Sequence, residues 1–173
     1  MVVKERKLIF KGNKISVIVE EILGRRGIYK AEIVEHPGAV VILPLKNDKI
    51  IMVKQHRPAI RGVLLELPAG TLEPGENPYS CAMRELEEET GYKAGRLELL
   101  GSFYASPGYS SEKLYAFLAE KLTQGEKKPE IDEDISVLEI EEDRVLEMVK
   151  RGEIEDSKTL STLFLFYTKK KFS

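Results

Sequence analysis

The chain of 173 residues has no tryptophan, one cysteine (Cys81) and two histidines (His36 and His56). A single thiol excludes an intramolecular disulfide and fits a reducing compartment. Neither histidine has the companions of a Ser/His/Asp set, so both read as structural. Long apolar runs are missing as well. No stretch approaches the roughly 20 residues that span a bilayer, and the short N-terminal ones are broken by Lys and Glu, so neither a membrane span nor a secretory segment is expected. Nor does charge of one sign dominate: 27 Lys and Arg stand against 29 Asp and Glu, a formal net charge of -2. That balance excludes bulk attraction to nucleic acid or anionic lipid and confines any anion recognition to a local site. Repeats and low-complexity segments are absent too. What remains is a chain expected to be cytoplasmic, long enough to bury a substantial core without staples.

What is present begins with strands. Short β-branched or apolar runs cover residues 15–22, 28–34, 39–45 and 50–54, the last two joined by a Lys46-Asn47-Asp48 turn. Further runs at 63–67, 97–103 and 114–119 read as strands. Helical spacing returns over 142–151 and from 157 to about 169, where Leu160, Leu163, Phe164 and Tyr167 recur, with Gly152 between the two. Helices set among mostly mixed or antiparallel strands predict an α+β sandwich. Residues 124–134 form a charged connecting stretch.

Residues 70–92 read GTLEPGENPYSCAMRELEEETGY. Asn77 suits an N-cap, Pro78 the first turn and Gly91 a left-handed stop, which predicts a helix over 78–90. At about 100° per residue, Tyr79, Ala82, Met83, Leu86 and Thr90 gather into a stripe aimed at a core. Cys81 falls opposite that stripe and reads as a bystander. Glu85 and Glu89 lie one turn apart at its edge, with Glu88 beside them. Like charges four residues apart destabilise a helix by a few tenths of a kcal/mol, and Arg84 cannot neutralise three carboxylates. The cluster therefore needs solvent or a cation. Hard oxygen donors without thiolate or imidazole suit Mg2+ or Mn2+ better than zinc.

Gly70, Glu76, Arg84, Glu85, Glu88, Glu89 and Gly91 match the Nudix box G-x5-E-x7-R-E-U-x-E-E-x-G-U, where U is bulky and apolar. Tyr92 departs from the aliphatic residue usual at the last position. The chain thus resembles the Nudix hydrolase superfamily, and the full spacing favours the metal over a merely solvated helix. Flanking segments HPGAVVILPL, VKQHRP, ELPAG, YASPGYSSE and ISVLEI resemble bacterial ADP-ribose pyrophosphatases, from about Gly38 to the C-terminal helix. Pro107, in Ser106-Pro107-Gly108 fifteen residues past the box, is at the position of that subgroup's marker. The resemblance implies an α/β/α sandwich with a mixed sheet over residues 39–173, preceded by an antiparallel β segment over 1–38. It also implies Mg2+-dependent hydrolysis of the ADP-ribose diphosphate to AMP and ribose 5-phosphate. A Nudix enzyme for a sugar nucleotide, NADH or a dinucleoside polyphosphate is the alternative. A non-catalytic ADP-ribose-binding module would be expected to have lost box glutamates, which this chain keeps.

The resemblance also implies roles. Metal is expected on Glu85, Glu88 and Glu89 and on the backbone carbonyl of Ala69. Arg84 is expected to orient a box glutamate, or else to form a surface pair with Glu88. The general base is expected at Glu133, with Glu130, Asp132 and Asp134 as rivals. Arg57 corresponds to an arginine that contacts substrate phosphates, a task suited to its planar fork, while Gly108 and Glu112 are expected to line the pocket. Without tryptophan, an aromatic platform for adenine falls to Tyr29, Phe10 or another tyrosine. Finally, a homodimer is expected. Its N-terminal strands either exchange, bringing Arg25, Arg26 and Tyr29 to the partner's substrate, or fold back on their own domain.

Overall fold

The computed structural model describes residues 1–127 and 135–172, with the side chain of Phe172 outside the description. The described residues form two sheets. The first is antiparallel, β1 (Val2–Lys11), β2 (Ser16–Gly24) and β3 (Gly27–Glu35) in that order. The second is seven-stranded and mixed. It contains β4 (Ala39–Lys46), β5 (Lys49–Arg57), β6 (Gly62–Glu66), β7 (Ala69–Thr71), β8 (Tyr92–Tyr104), β9 (Lys113–Gln124) and β10 (Ile135–Glu141). Its spine runs β10-β5-β4-β9-β8, with β6 beside β5 and β7 beside β4. Helices α1 (Pro78–Thr90), α2 (Glu142–Lys150) and α3 (Ser157–Phe172) complete the chain.

The centre of the molecule follows from β4, which pairs in parallel with β9. Parallel strands covered on both faces read as continuous apolar runs, and Val40, Val41, Ile42 and Leu43 are wholly buried. Their side chains alternate between layers. Val41 and Leu43 meet Val145 of α2 and Leu163 and Phe166 of α3. Val40 and Ile42 meet Cys81, Ala82 and Leu86 of α1 on the opposite face. One strand with period-two side chains thereby creates the helix-sheet-helix sandwich. The β4–β5 turn places Asn47 and Asp48 at φ 48 and 62, the paired left-handed geometry that a two-residue hairpin demands and these residues tolerate.

Strand β1 is not expected from sequence, because Lys4, Glu5, Arg6 and Lys7 interrupt the apolar pattern. It is exposed along its whole length and acquires order by pairing with β2. Among the buried apolar residues the first sheet contributes only Ile18. Its link to the second sheet includes β3, where Val34 N–H donates to the Tyr109 carbonyl at 2.8 Å and Ser111 N–H donates to the Val34 carbonyl at 3.0 Å. Among the described residues, no helix is long and apolar enough to cross a membrane.

Candidate active site

The glutamate helix begins and ends on its local signals. Asn77 accepts the N–H of Ser80 at 3.0 Å, Pro78 occupies the first turn, and Gly91 stops the helix at φ 75. Its rotation differs from the expected one. The buried residues are Cys81, Ala82, Glu85, Leu86, Glu89 and Thr90, whereas Tyr79 is 50% and Met83 39% exposed. Apolar periodicity misses this turn because it treats carboxylates as outward-facing, and here they find polar partners inside. Tyr79 still packs edge-on against Phe117, with ring centres 4.9 Å apart.

Cys81 is likewise corrected: it is buried, its Sγ 3.6 Å from the Thr71 carbonyl. Burial first, then the Glu76 and Glu85 charges, pushes its thiol far above the usual range.

Glu89 is 1% exposed and accepts the N–H of Ala69 at 3.1 Å. Glu85 lies over the neighbouring residue so closely that a Cβ on Gly70 would stand 1.8 Å from its Cδ. The box glycine is thus a requirement of contact rather than of torsion. Arg84 binds Glu76 through two parallel bonds, Nε to Oε1 at 3.0 Å and Nη2 to Oε2 at 2.9 Å. Its Nη1 also reaches Glu85 Oε1 at 2.8 Å and Glu88 Oε2 at 3.0 Å. Arg84 therefore touches box glutamates and Glu88 alike. The Arg84 hydrogen bonds hold the Glu76 carboxyl down to about 2, helped by the N–H of Glu73.

Among the described residues, Arg84 thus meets Glu76, Glu85 and Glu88, and Glu89 lies beside Ala69. Among the described residues, no three His, Cys, Asp or Glu side chains converge as an ion cage. Arg84 holds Glu85 and Glu88 while Glu89 turns to the Ala69 backbone. In kind, the donor set still fits Mg2+ or Mn2+. It offers only hard oxygens and lies on a rigid helix against one short strand.

A cavity of about 700 Å³ opens beside these groups, lined by Arg57, the segment from Ala69 to Pro74, Arg84 and Glu85. Glu35, His36, Pro37 and the β1–β2 turn from Lys11 to Ser16 form its other wall. Lys11 and Lys14 of that turn were not singled out from sequence. The ring of His36 accepts the Gly38 N–H through Nδ1 at 3.1 Å, a backbone-bracing contact. Arg25, Arg26 and Tyr29 do not share this cavity; they line another with Met1 at the β2–β3 hairpin. Gly108 lines a third, along β3 with Tyr29. Glu112 shapes the same loop, donating its N–H to Ser110 Oγ at 3.1 Å and accepting the Ala105 N–H at 3.1 Å. Glu133 and its rivals Glu130, Asp132 and Asp134 lie outside the described residues.

Arg57 has an unforeseen partner. It pairs with Glu66, which is 1% exposed, and the Glu66 hydrogen bond leads the causes that raise its pKa, with the Glu89 and Asp156 charges contributing. The available signal was a lone acid in the apolar run Val63-Leu64-Leu65-Glu66-Leu67.

A NUDIX domain model matches residues 35–163. The chain is 45% identical to the ADP-ribose pyrophosphatase of Bacillus subtilis (strain 168) over 158 residues, 89% of this chain and 85% of that protein. It is 40% identical to the methanol dehydrogenase activator of Bacillus methanolicus over 156 residues, 88% of this chain and 84% of that one. A crystal structure of an ADP compounds hydrolase superposes with a TM-score of 0.85 at 21% identity, covering 98% of this chain and 94% of the other. That likeness shows the fold.

Proposed function

The chain belongs to the NUDIX domain family and is a Nudix hydrolase, and on that premise we propose that it hydrolyses ADP-ribose to AMP and ribose 5-phosphate with Mg2+, Mn2+ being a substitute. The observation that carries this reading is the similarity to the Bacillus subtilis ADP-ribose pyrophosphatase over most of both chains. Glu85, Glu88 and Glu89, with the Ala69 carbonyl, would hold the ion. When bound, it supplies positive charge to the phosphoryl oxygens and lowers the pKa of attacking water.

The protein groups have distinct tasks. Arg84, locked onto Glu76, orients the glutamates as a partner behind the ligands. Arg57 opens onto the same cavity and contacts the diphosphate. Glu133 is the proposed base: its carboxylate takes a proton from water, the water oxygen bonds to phosphorus, and the bridging P–O bond breaks. Gly108 and Glu112, in a loop that lines a separate cavity of the single chain, are proposed to border the bound substrate. The protein is proposed to be cytoplasmic and to act on a small nucleotide, not on nucleic acid or a membrane.

We further propose two units, residues 1–38 and 39–173, and a homodimer in which the first unit brings Arg25, Arg26 and Tyr29 to the partner's site. This arrangement gives those residues a role that the cavity of their own chain does not. Mixing tests it: a Glu85→Gln subunit combined with one mutated at Arg25, Arg26 and Tyr29 should regain activity through one intact composite site. A monomer in sedimentation, or no rescue in confirmed heterodimers, removes the exchange.

The substrate is tested by incubating the protein and Mg2+ with ADP-ribose, sugar nucleotides, NADH and dinucleoside polyphosphates in 18O-labelled water. ADP-ribose should give the highest kcat/KM, with label in one of its two products. A clear preference for another compound refutes the assignment.

A further inference from the structure

The start of α3 adjoins a cluster of charges of which the proposed mechanism uses only Arg57. Its hub is Glu66, the last residue of β6, with 1% of its surface exposed. A carboxylate so deep is tolerated only when paired and hydrogen-bonded. Its Oε1 accepts Nε of Arg57 at 2.8 Å and its Oε2 accepts Nη2 at 2.6 Å, so the two groups meet fork to fork. Lys158 donates to the same Oε2 and also to Asp156 Oδ1 at 2.9 Å. Two acids and two bases make a formally neutral set, so Arg57 is anchored without burying net charge.

The set is also tied to the backbone beside the site. Asp156 Oδ2 accepts the Thr159 N–H at 2.9 Å and its hydroxyl at 2.6 Å, and the Thr159 oxygen accepts the N–H of Leu67 at 2.9 Å. The N-terminus of α3 therefore grips the residue after Glu66, two before Ala69. Among the described residues, the hydrogen bonds of Arg57 to Glu66 occupy Nε and Nη2, which leaves the Nη1 donors for another acceptor. Arg57 lines the cavity beside Ala69, Gly70 and Glu85.

We infer that Glu66, braced by Lys158 and Asp156, is a positioning residue for substrate recognition: it fixes the Arg57 guanidinium so that its remaining donors meet the diphosphate. The inference rests on the proposed contact between Arg57 and substrate phosphate. A long arginine held by one edge forfeits little side-chain freedom on binding, whereas an unbraced one must be ordered by the ligand.

A double-mutant cycle read by calorimetry tests this, with α,β-methylene-ADP as the probe at saturating Mg2+. Glu66→Gln should weaken binding about tenfold, within the range for residues sharing one network. In an Arg57→Ala background the same change should cost less than about twofold. In turnover, Glu66→Gln should raise KM more than it lowers kcat. If Glu66→Gln lacks a cooperative melt, Glu66→Asp repeats the cycle, because it keeps the charge and shortens the reach to Arg57. Equal losses in both backgrounds, no loss, or no binding of the probe by the unmutated protein overturns the inference. Non-additive binding in a protein that leaves ADP-ribose uncleaved supports the positioning role and refutes the proposed substrate.

Discussion

Gly70→Ala separates what the site needs from what the fold needs. The added Cβ would lie 1.8 Å from Glu85 Cδ, 1.9 Å from Oε1 and 2.4 Å from Oε2, whereas carbon atoms in contact rest about 3.5–4.0 Å apart. Glu85 must therefore withdraw its carboxylate by roughly 2 Å, giving up its 2.8 Å contact with Arg84. Stability should change little. Gly70 is not in the left-handed region, the displaced group is the end of a flexible side chain, and Arg84 keeps its fork on Glu76. The lost ion pair and shifted rotamer cost about 1 kcal/mol, and alanine's smaller unfolded-state entropy offsets about 0.4–1 kcal/mol. Activity is another matter, since Mg2+ ligands sit at about 2.0–2.1 Å and even a 1 Å misplacement costs about 10²-fold. The expected variant melts within a few degrees of the parent, binds Mn2+ more weakly by calorimetry, and loses about 10²-fold or more in kcat. A folded variant with unchanged kcat and Mn2+ affinity would refute the placement of Glu85 among the ligands.

Glu89→Gln should leave the fold cooperative, because an amide oxygen can still accept the Ala69 N–H, yet lower kcat by several orders of magnitude; near-normal turnover at saturating Mg2+ would contradict its ligand role. Glu76 makes stability depend on acid. Its folded pKa of about 2 lies below the ordinary 4.5, so its contribution, at most about 3 kcal/mol, is present above 4.5 and disappears as pH falls through about 2. Urea midpoints of the parent and Glu76→Gln should therefore converge between pH 5 and 2, and a constant gap would show that Arg84 does not depress this group. Glu133→Gln should retain binding and lose about 10²–10⁴ in rate, the usual size of a general-base effect. A large loss in Glu130→Gln or Asp134→Asn instead would move the base to that residue.

Local chemistry determined much of this protein from sequence alone. The span of α1 follows from Asn77, Pro78 and Gly91, and the β4–β5 hairpin from Asn47 and Asp48, because caps and turns are decided by residues within a few positions of one another. The spacing of Glu85, Glu88 and Glu89 put those acids on adjoining faces of one helix before any tertiary contact was known. Which face turned inward was another question. Burial of Glu85 and Glu89 depends on Ala69, Gly70 and Arg84 being brought against the helix, and a periodicity that ranks carboxylates as outward-facing cannot register those partners. Strand β1 had the same difficulty, since its order comes from pairing with β2 rather than from its own composition. The pairing of Glu66 with both Arg57 and Lys158 joins residues up to 92 positions apart in the chain. Only the packing of α3 against the end of β6 made that pairing possible, because the low-dielectric interior that binds such charges together does not exist until the fold has formed.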